Sequence, residues 1–503
     1  MSKHSYPESR GAHALLRIVL SCAAVGSTAC AGNEAAEANG GEPALASEAL
    51  HRRARNVILF VGDGMGISTI TAARILEGQK RGEPGEENSL SFESFPHLAL
   101  IKTYSVNQQT SDSAPTMTAM VTGAKTKDGI LSVDENVVRG DHTTVAGNEL
   151  PTILEHAEKA GLSTGVVSTA RITHATPGAC YAHSPERDWE ADTNLSEAAL
   201  AADFPDIARQ LIELPLGDGL EVALGGGREY FWPKTEADPE DAEAFGRRGD
   251  GRNLTAEWAA KPDSAFVWNQ EQFDAIDPAS TKHLLGLFER SHMEYEADRA
   301  KDTAGEPSLT QMTQKAIDVL SKNERGYFLM VEAGRIDHAH HAGNARRALE
   351  DAIELSNAVR AALEKVDTRD TTVLVTADHS HVFTIAGYPV RGNPILGKVI
   401  TNDAKGTPEK GYALDAKGLP YTTLSYANGP GYREGGRPDL TAVDTEHVDY
   451  LQEATVPMTA ETHAGEDVAL FATGPGTSSV AGVREQTVSF DVMARALRLG
   501  GYR

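Results

Sequence analysis

The sequence predicts an α/β protein built on a doubly wound, mainly parallel sheet flanked by helices. Three observations carry that expectation. Short apolar runs recur at residues 57–61, 165–168, 221–224, 327–331, 372–375 and 468–472, mostly continuous rather than alternating, as in strands covered on both faces. Helical stretches fall between them, at 67–77 before Gly78, at 152–160 before Gly161, and at 345–366 with Leu349, Ile353 and Leu363 near one face. Strands alternating with helices imply parallel pairing with crossover connections.

Taken in order, the N-terminus reads as an export signal over residues 1–29. Arg10 and Arg17 precede an apolar run at 18–25, too short to span a membrane, and small residues follow to Ala29. Ser27-Thr28-Ala29-Cys30 resembles a bacterial lipoprotein cleavage box, with Ser27 where Leu is usual. Two outcomes stay open: a lipid anchor on Cys30, or plain cleavage near Ala29. Either implies export to the periplasm or the cell surface. Residues 30–50 are rich in Ala, Glu and Gly and read as a tether. The main domain is expected over 51–392 and 458–503. Residues 393–457, with many Gly, Pro and Thr, interrupt it as an inserted surface subdomain, and the acidic stretch 233–263 is a second excursion.

The chain has 503 residues and a net charge of -25. That balance argues against nucleic-acid binding and against an anionic membrane surface as main partner. Cys180 is the only cysteine outside the N-terminal segment, so no disulfide framework holds the domain.

The residues that follow three strands are chemically pointed. Residues 57–62 run into Asp63, 327–331 into Glu332, and 372–377 into Asp378-His379. In open α/β sheets, ligands bind beyond the carboxyl ends of strands, so these groups are expected to meet in one site. Asp337 and His341 are four residues apart and share a helix face. His463 lies just before the last of the six strands. Mixed carboxylate and imidazole donors suit zinc, and oxygen donors suit magnesium. Ser113, in Asp112-Ser113-Ala114-Pro115, opens a helix with Pro115 in its first turn. Such a serine is usually an N-cap, but a helix N-terminus is also a phosphate site, where a metal could activate a hydroxyl.

Five motifs occur in order: Val61-Gly62-Asp63-Gly64-Met65-Gly66, Asp112-Ser113-Ala114, the run from Val331-Glu332 to His340-His341, Thr376-Ala377-Asp378-His379-Ser380-His381, and Glu461-Thr462-His463. Together they resemble the alkaline phosphatase family, nearer its animal members than the best-known enterobacterial one. The resemblance runs from about Asn56 to the C-terminus. It implies hydrolysis of phosphate monoesters to alcohol and inorganic phosphate through a covalent phosphoserine, with two Zn2+ and one Mg2+ per chain. On that resemblance Asp337, His341 and His463 hold the first zinc, and Asp63, Asp378 and His379 the second, beside Ser113. Asp63, Glu332 and Thr176 hold magnesium, with His174 and His338 just outside the ligand shell. Arg187 grips the phosphoryl group and Asp112 orients it.

The resemblance also implies that residues 393–457 are a trimmed form of the family's crown subdomain. A calcium site of the animal members is matched by Phe288-Glu289, with Glu306 a further ligand candidate. A homodimer is implied too, although the segment between Cys30 and Asn56 is shorter than the arm animal members use to embrace a partner. The family's cysteine pairs are absent, and Pro115 is unusual at its position. A phosphodiesterase or sulfatase on the same fold is the nearest alternative. Ser113-Ala114-Pro115 partly matches the sulfatase signature, but Met117 stands where that signature has Arg. A non-catalytic metal- or phosphate-binding lipoprotein would show a damaged nucleophile or ligand set, and every expected position is filled.

Overall fold

The computed structural model describes residues 53–499. The predicted signal segment and tether lie outside them. Among the described residues there are fifteen strands. β1 is Asn56–Gly62, β2 His97–Lys102, β3 Ser163–Arg171, β4 Val222–Gly226, β5 Ser264–Val267, β6 His283–Leu287, β7 Tyr327–Ala333 and β8 Thr371–Ala377. The remainder are β9 Ser380–His381, β10 Phe383–Ile385, β11 Leu424–Gly429, β12 Ala454–Pro457, β13 His463–Ala464, β14 Val468–Thr473 and β15 Ala481–Glu485. Ten of them make one sheet in the order β15-β2-β14-β8-β1-β7-β3-β4-β6-β5. Nine run the same way; β14 is inverted between β2 and β8. This is the mainly parallel α/β sheet the apolar runs predict.

All six predicted strands are there, and the sheet adds β2, β5, β6 and β15. These four lacked a long apolar signal. β6 is broken by Gly286, β5 has four residues, β2 alternates buried and exposed positions, and β15 is exposed along most of its length.

The central strands show why continuous apolar runs arise. β1 lies between β7 and β8, and every residue after Asn56 is buried, because helices cover both faces of the sheet. The helix Ala345–Lys365 packs on one side with Asn344 capping its start. The helix Ile67–Lys80 runs through Gly78 instead of stopping there. A Cβ at Gly78 would sit 2.6 Å from Gly85 Cα, so this glycine serves a close backbone approach, not a cap. The helix predicted from Thr152 spans Ile153–Lys159, with Thr152 as its cap in a reciprocal pair with Glu155.

The acidic stretch 233–263 is ordered around two fully buried arginines. Arg228 pairs with Asp238, and Arg248 with Asp206. Within and beside the inserted region, β10, β11 and β12 form a separate three-stranded sheet. No helix among the described residues is long and apolar enough to cross a membrane.

Register is what positions the chemistry. Gly62 of β1 pairs with Ala333 of β7 and with Ala377 of β8, while Glu332 pairs with Ser168 of β3. Three adjacent strands, β8, β1 and β7, therefore end level, and β3 beside them runs on to Arg171. A short β9–β13 ladder pairs His381 with His463, which brings the C-terminal histidine back to the same edge.

Candidate active site

Asp63, Glu332 and Asp378 arrive at those strand ends fully buried. Glycine and histidine backbone N–H groups of residues 64 and 379 each donate to Asp378 Oδ1 at 2.9 Å, and Ser168 donates to Glu332. Beyond this the acceptors are bare. Both oxygens of Asp63, Oε1 of Glu332, Oδ2 of Asp378 and Oγ1 of Thr176 are buried without a hydrogen-bond partner. Burial and mutual repulsion raise Asp63 well above the ordinary carboxylate range, and burial lifts Glu332 to about 7. Three desolvated carboxylates with unmatched oxygens cost several kcal/mol each unless a cation joins them. Thr176 comes from the short helix Ala175–Gly178, just past β3.

A second group adjoins the first. Asp337 and His341, on the helix Arg335–His341, are 3.2 Å apart through Oδ1 and Nε2, and His463 Nε2 is 3.3 Å from the same oxygen. The carbonyl of Glu461 lies 2.5 Å from His341 Nδ1, and that of Ser111 lies 2.8 Å from His463 Nδ1. A carbonyl only accepts, so each Nδ1 carries the proton and each Nε2 presents a lone pair. Those two Nε2 atoms are 3.1 Å apart. Lone pairs meeting at that distance fit a shared ion about 2.0–2.1 Å from each nitrogen.

His381, for which the sequence supplied no role, is the support of this group. Its Nε2 is 2.9 Å from Asp337 Oδ1 and its Nδ1 is 2.5 Å from Glu461 Oε2. Burial pulls its pKa down, but the two carboxylates outweigh that and bring it to about 9. Protonated on both nitrogens, it cannot ligate; it holds Asp337. The only earlier signal was its place two residues after His379.

His379 joins the two groups. Its Nε2 is 3.3 Å from Asp378 Oδ2, 3.4 Å from Asp63 Oδ1 and 3.2 Å from Ser113 Oγ. Its ring stacks on His463 at 3.6 Å, and burial keeps it neutral.

Ser113 is not the cap of its helix. Asp112 takes that place and accepts from the Ala114 N–H at 3.3 Å. The Ser113 hydroxyl is thus free to face His379 and the bare carboxylates, at the positive end of the helix Ser113–Thr122. Asp112 also accepts from the Gly129 N–H at 3.0 Å and pairs with Arg187 Nη1. Arg187 Nη2 is 3.0 Å from His174 Nε2.

A third cluster was invisible in the sequence. His174, His292 and His338 offer nitrogens within 4.8 Å of one another, and His292 comes from the loop after β6. Here the surroundings are wrong for a cation. Arg187 meets His174, Arg171 Nη1 meets His292 Nε2 at 2.5 Å, and Arg335 Nη1 meets His338 Nδ1 at 3.2 Å. Arginine only donates, so His174 Nε2 and His338 Nδ1 are engaged as acceptors, His292 has its one acceptor nitrogen taken by Arg171, and the group lies under three positive charges. Burial and those charges hold His174 at about 4 and keep His338 well below the ordinary imidazole value.

Away from this site, Glu240, Glu289 and Asp302 form an acidic trio. Asp302 was not singled out in the sequence. Glu306 lies beside it, but both its oxygens accept from the Glu294 N–H, at 3.1 and 3.3 Å.

A sequence model described as alkaline phosphatase matches residues 54–499. The chain is 43% identical over 472 residues to an alkaline phosphatase of Gadus morhua, covering 92% of this chain and 96% of that one. It is 44% identical over 456 residues to the tissue-nonspecific alkaline phosphatase of Homo sapiens, covering 89% and 84%. Among solved structures, Thermus thermophilus alkaline phosphatase is similar with a TM-score of 0.63 and 27% identity, covering 90% of this chain and 93% of that one. The enzyme of the Antarctic bacterium TAB5 shares the fold, with a TM-score of 0.60 at 23% identity, covering 90% and 100%.

Proposed function

Since the chain belongs to the alkaline phosphatase family, near its animal members, and is a phosphoric monoester hydrolase, we propose that it acts through a phosphoserine on Ser113 at a site for two zinc ions and one magnesium ion. The observation that carries this reading is the set of buried, partnerless ligand atoms around a serine relieved of capping duty. Asp337, His341 and His463 would hold one zinc, and Asp63, Asp378 and His379 the other. Asp63, Glu332 and Thr176, all oxygen donors, would hold magnesium. When bound, the ions supply positive charge to the attacking and departing oxygens, which suits an anionic substrate to a chain of net charge -25.

The chain's own groups then do the following. Arg187 grips two terminal phosphoryl oxygens with paired N–H donors, a geometry suited to a dianionic group, while Asp112 fixes one of its amino groups. Ser113 gives up its hydroxyl proton to solvent as Oγ attacks phosphorus in line; the ester P–O bond breaks and the departing alkoxide takes a proton back from solvent, leaving as the alcohol. Water then attacks the phosphoserine, Ser113 regains its proton and inorganic phosphate departs. His338 and His174 stand outside the ligand sets.

Replacing Ser113 with Ala should abolish the covalent phosphoryl adduct and lower turnover by at least about 10³-fold, with the fold retained. Intact-mass analysis of acid-quenched enzyme reads this directly, and a phosphorylated Ser113→Ala protein would refute the assignment.

The same reading includes residues 393–457 as a crown-like insertion, calcium at Phe288-Glu289 with Glu306, and export, with either a lipid anchor on Cys30 or plain cleavage near Ala29. A homodimer belongs to it as well. Leu98, Leu100 and Val483 are 50%, 41% and 54% exposed on the neighbouring strands β2 and β15, a strip that a second copy could cover.

A further inference from the structure

We propose that His292 is a positioning residue for the phosphate clamp, fixing the guanidinium of Arg187 by way of His174. The proposal rests on the reading of Arg187 as that clamp.

Arg187 is held from two sides. Asp112 takes Nη1, and His174 Nε2 accepts from Nη2 at 3.0 Å. The two holders are anchored very differently. Asp112 caps a helix and accepts from two backbone N–H groups, so its carboxylate cannot turn. On His174, Nδ1 is buried with no hydrogen-bond partner. Its other nitrogen accepts from Arg187, so Nδ1 carries the proton, and no protein acceptor fixes the plane of the ring.

Ring packing supplies that restraint. His292 lies edge-on to His174, with centroids 5.3 Å apart and planes at 83°. It also packs on His338 at 4.1 Å, and His338 in turn touches His174 at 5.5 Å.

His292 is suited to the task because its own position is pinned. Arg171 meets both ring nitrogens, its backbone N–H 3.2 Å from Nδ1 and its Nη1 2.5 Å from Nε2, and the neutral ring accepts from one of the two while the other contact packs against it. Arg171 is locked onto Glu190 by two bonds of 2.8 Å. The loop that carries His292 is pressed on the sheet: a Cβ at Gly226 would sit 2.1 Å from Ser291 O, and the Met293 N–H donates to Thr169 O at 3.0 Å. A rigid path thus runs from the end of β3 through Arg171 and His292 to His174 and the clamp. Without the His292 ring, His174 is free to rotate, and Nη2 of Arg187 loses its acceptor.

The test is a double-mutant cycle read by competitive inhibition with inorganic phosphate, alongside KM and kcat for an aryl phosphate and metal content per chain. His292→Ala should raise the phosphate Ki and KM about three- to tenfold, with a smaller change in kcat. His292→Phe, which keeps a ring, should recover most of the loss. In an Arg187→Ala background, His292→Ala should change the phosphate Ki less than about twofold. Equal effects of His292→Ala with and without Arg187 would overturn the proposal, as would wild-type phosphate affinity in both His292 variants. Loss of a metal ion in His292→Ala would overturn it too, by making the cluster a metal site. If Arg187→Ala itself leaves phosphate binding unchanged, the clamp reading fails instead. Thermal melts of both variants identify a folding defect, and His292→Phe carries the test if the alanine variant does not fold.

Discussion

Two clusters of histidines sit within one site, and they are built for opposite purposes. Around Asp337, the imidazoles of His341 and His463 turn their Nδ1 protons toward backbone carbonyls and their lone pairs toward each other. Around His174, the rings of His292 and His338 meet guanidinium groups instead. Both clusters bring nitrogens close enough to hold a metal. Only the first has the carboxylate charge and the acceptor-backed tautomers that a ligand imidazole needs. The contrast teaches that proximity of imidazoles is a poor guide to metal binding. The groups behind them decide which lone pairs are available.

The harshest way to break this comparison is to remove the metals. Chelation should eliminate turnover, and zinc with magnesium together should restore it better than either alone, because Asp63 lies within reach of both kinds of site. Full recovery with magnesium alone would show that the histidine–carboxylate groups do not work as zinc sites.

A smaller but still large effect is expected at Arg187, which the His174 cluster supports. Arg187→Ala should weaken phosphate inhibition by roughly 10- to 150-fold, the equivalent of about 1.5–3 kcal/mol for charge-assisted hydrogen bonds. Turnover of monoesters should fall more than that of diesters, which offer fewer free anionic oxygens. Equal losses on the two substrates would remove the clamp from the mechanism.

The finest distinction compares supports from each cluster. His381→Ala should lower zinc affinity about 10–100-fold, since it frees Asp337 from its buried partner. His338→Ala and His174→Ala should leave two zincs bound and weaken magnesium activation by a similar factor. Metal content per chain, with magnesium titrations of activity, separates the three variants. Loss of zinc from His338→Ala or His174→Ala would place that histidine among the ligands and erase the contrast.

Much of this was legible in the chain. Continuous apolar runs announced buried parallel strands, since a strand covered on both faces has no polar side to show. Asp63, Glu332 and Asp378 stood out because strand ends are where such sheets bind ligands, and Asp337 with His341 because helical spacing puts them on one face. Local rules placed the helix at Thr152 but misread Gly78, whose purpose is a close contact with Gly85.

What local pattern could not supply is which residues far apart in the chain end up back to back. His381 takes its role from Glu461, eighty residues on. Asp112, beside Ser113, meets Arg187 from 75 residues away. The β9–β13 ladder delivers His463 beside His379. His292 carried no signal in the sequence, and it meets His174 and His338 because β3, β6 and β7 share one sheet. Apolar periodicity and strand-end chemistry are short-range properties written along the backbone. Tautomers, unmatched oxygens and the sign of the local charge depend on non-local packing, so they appear only when the register of the sheet brings those groups together.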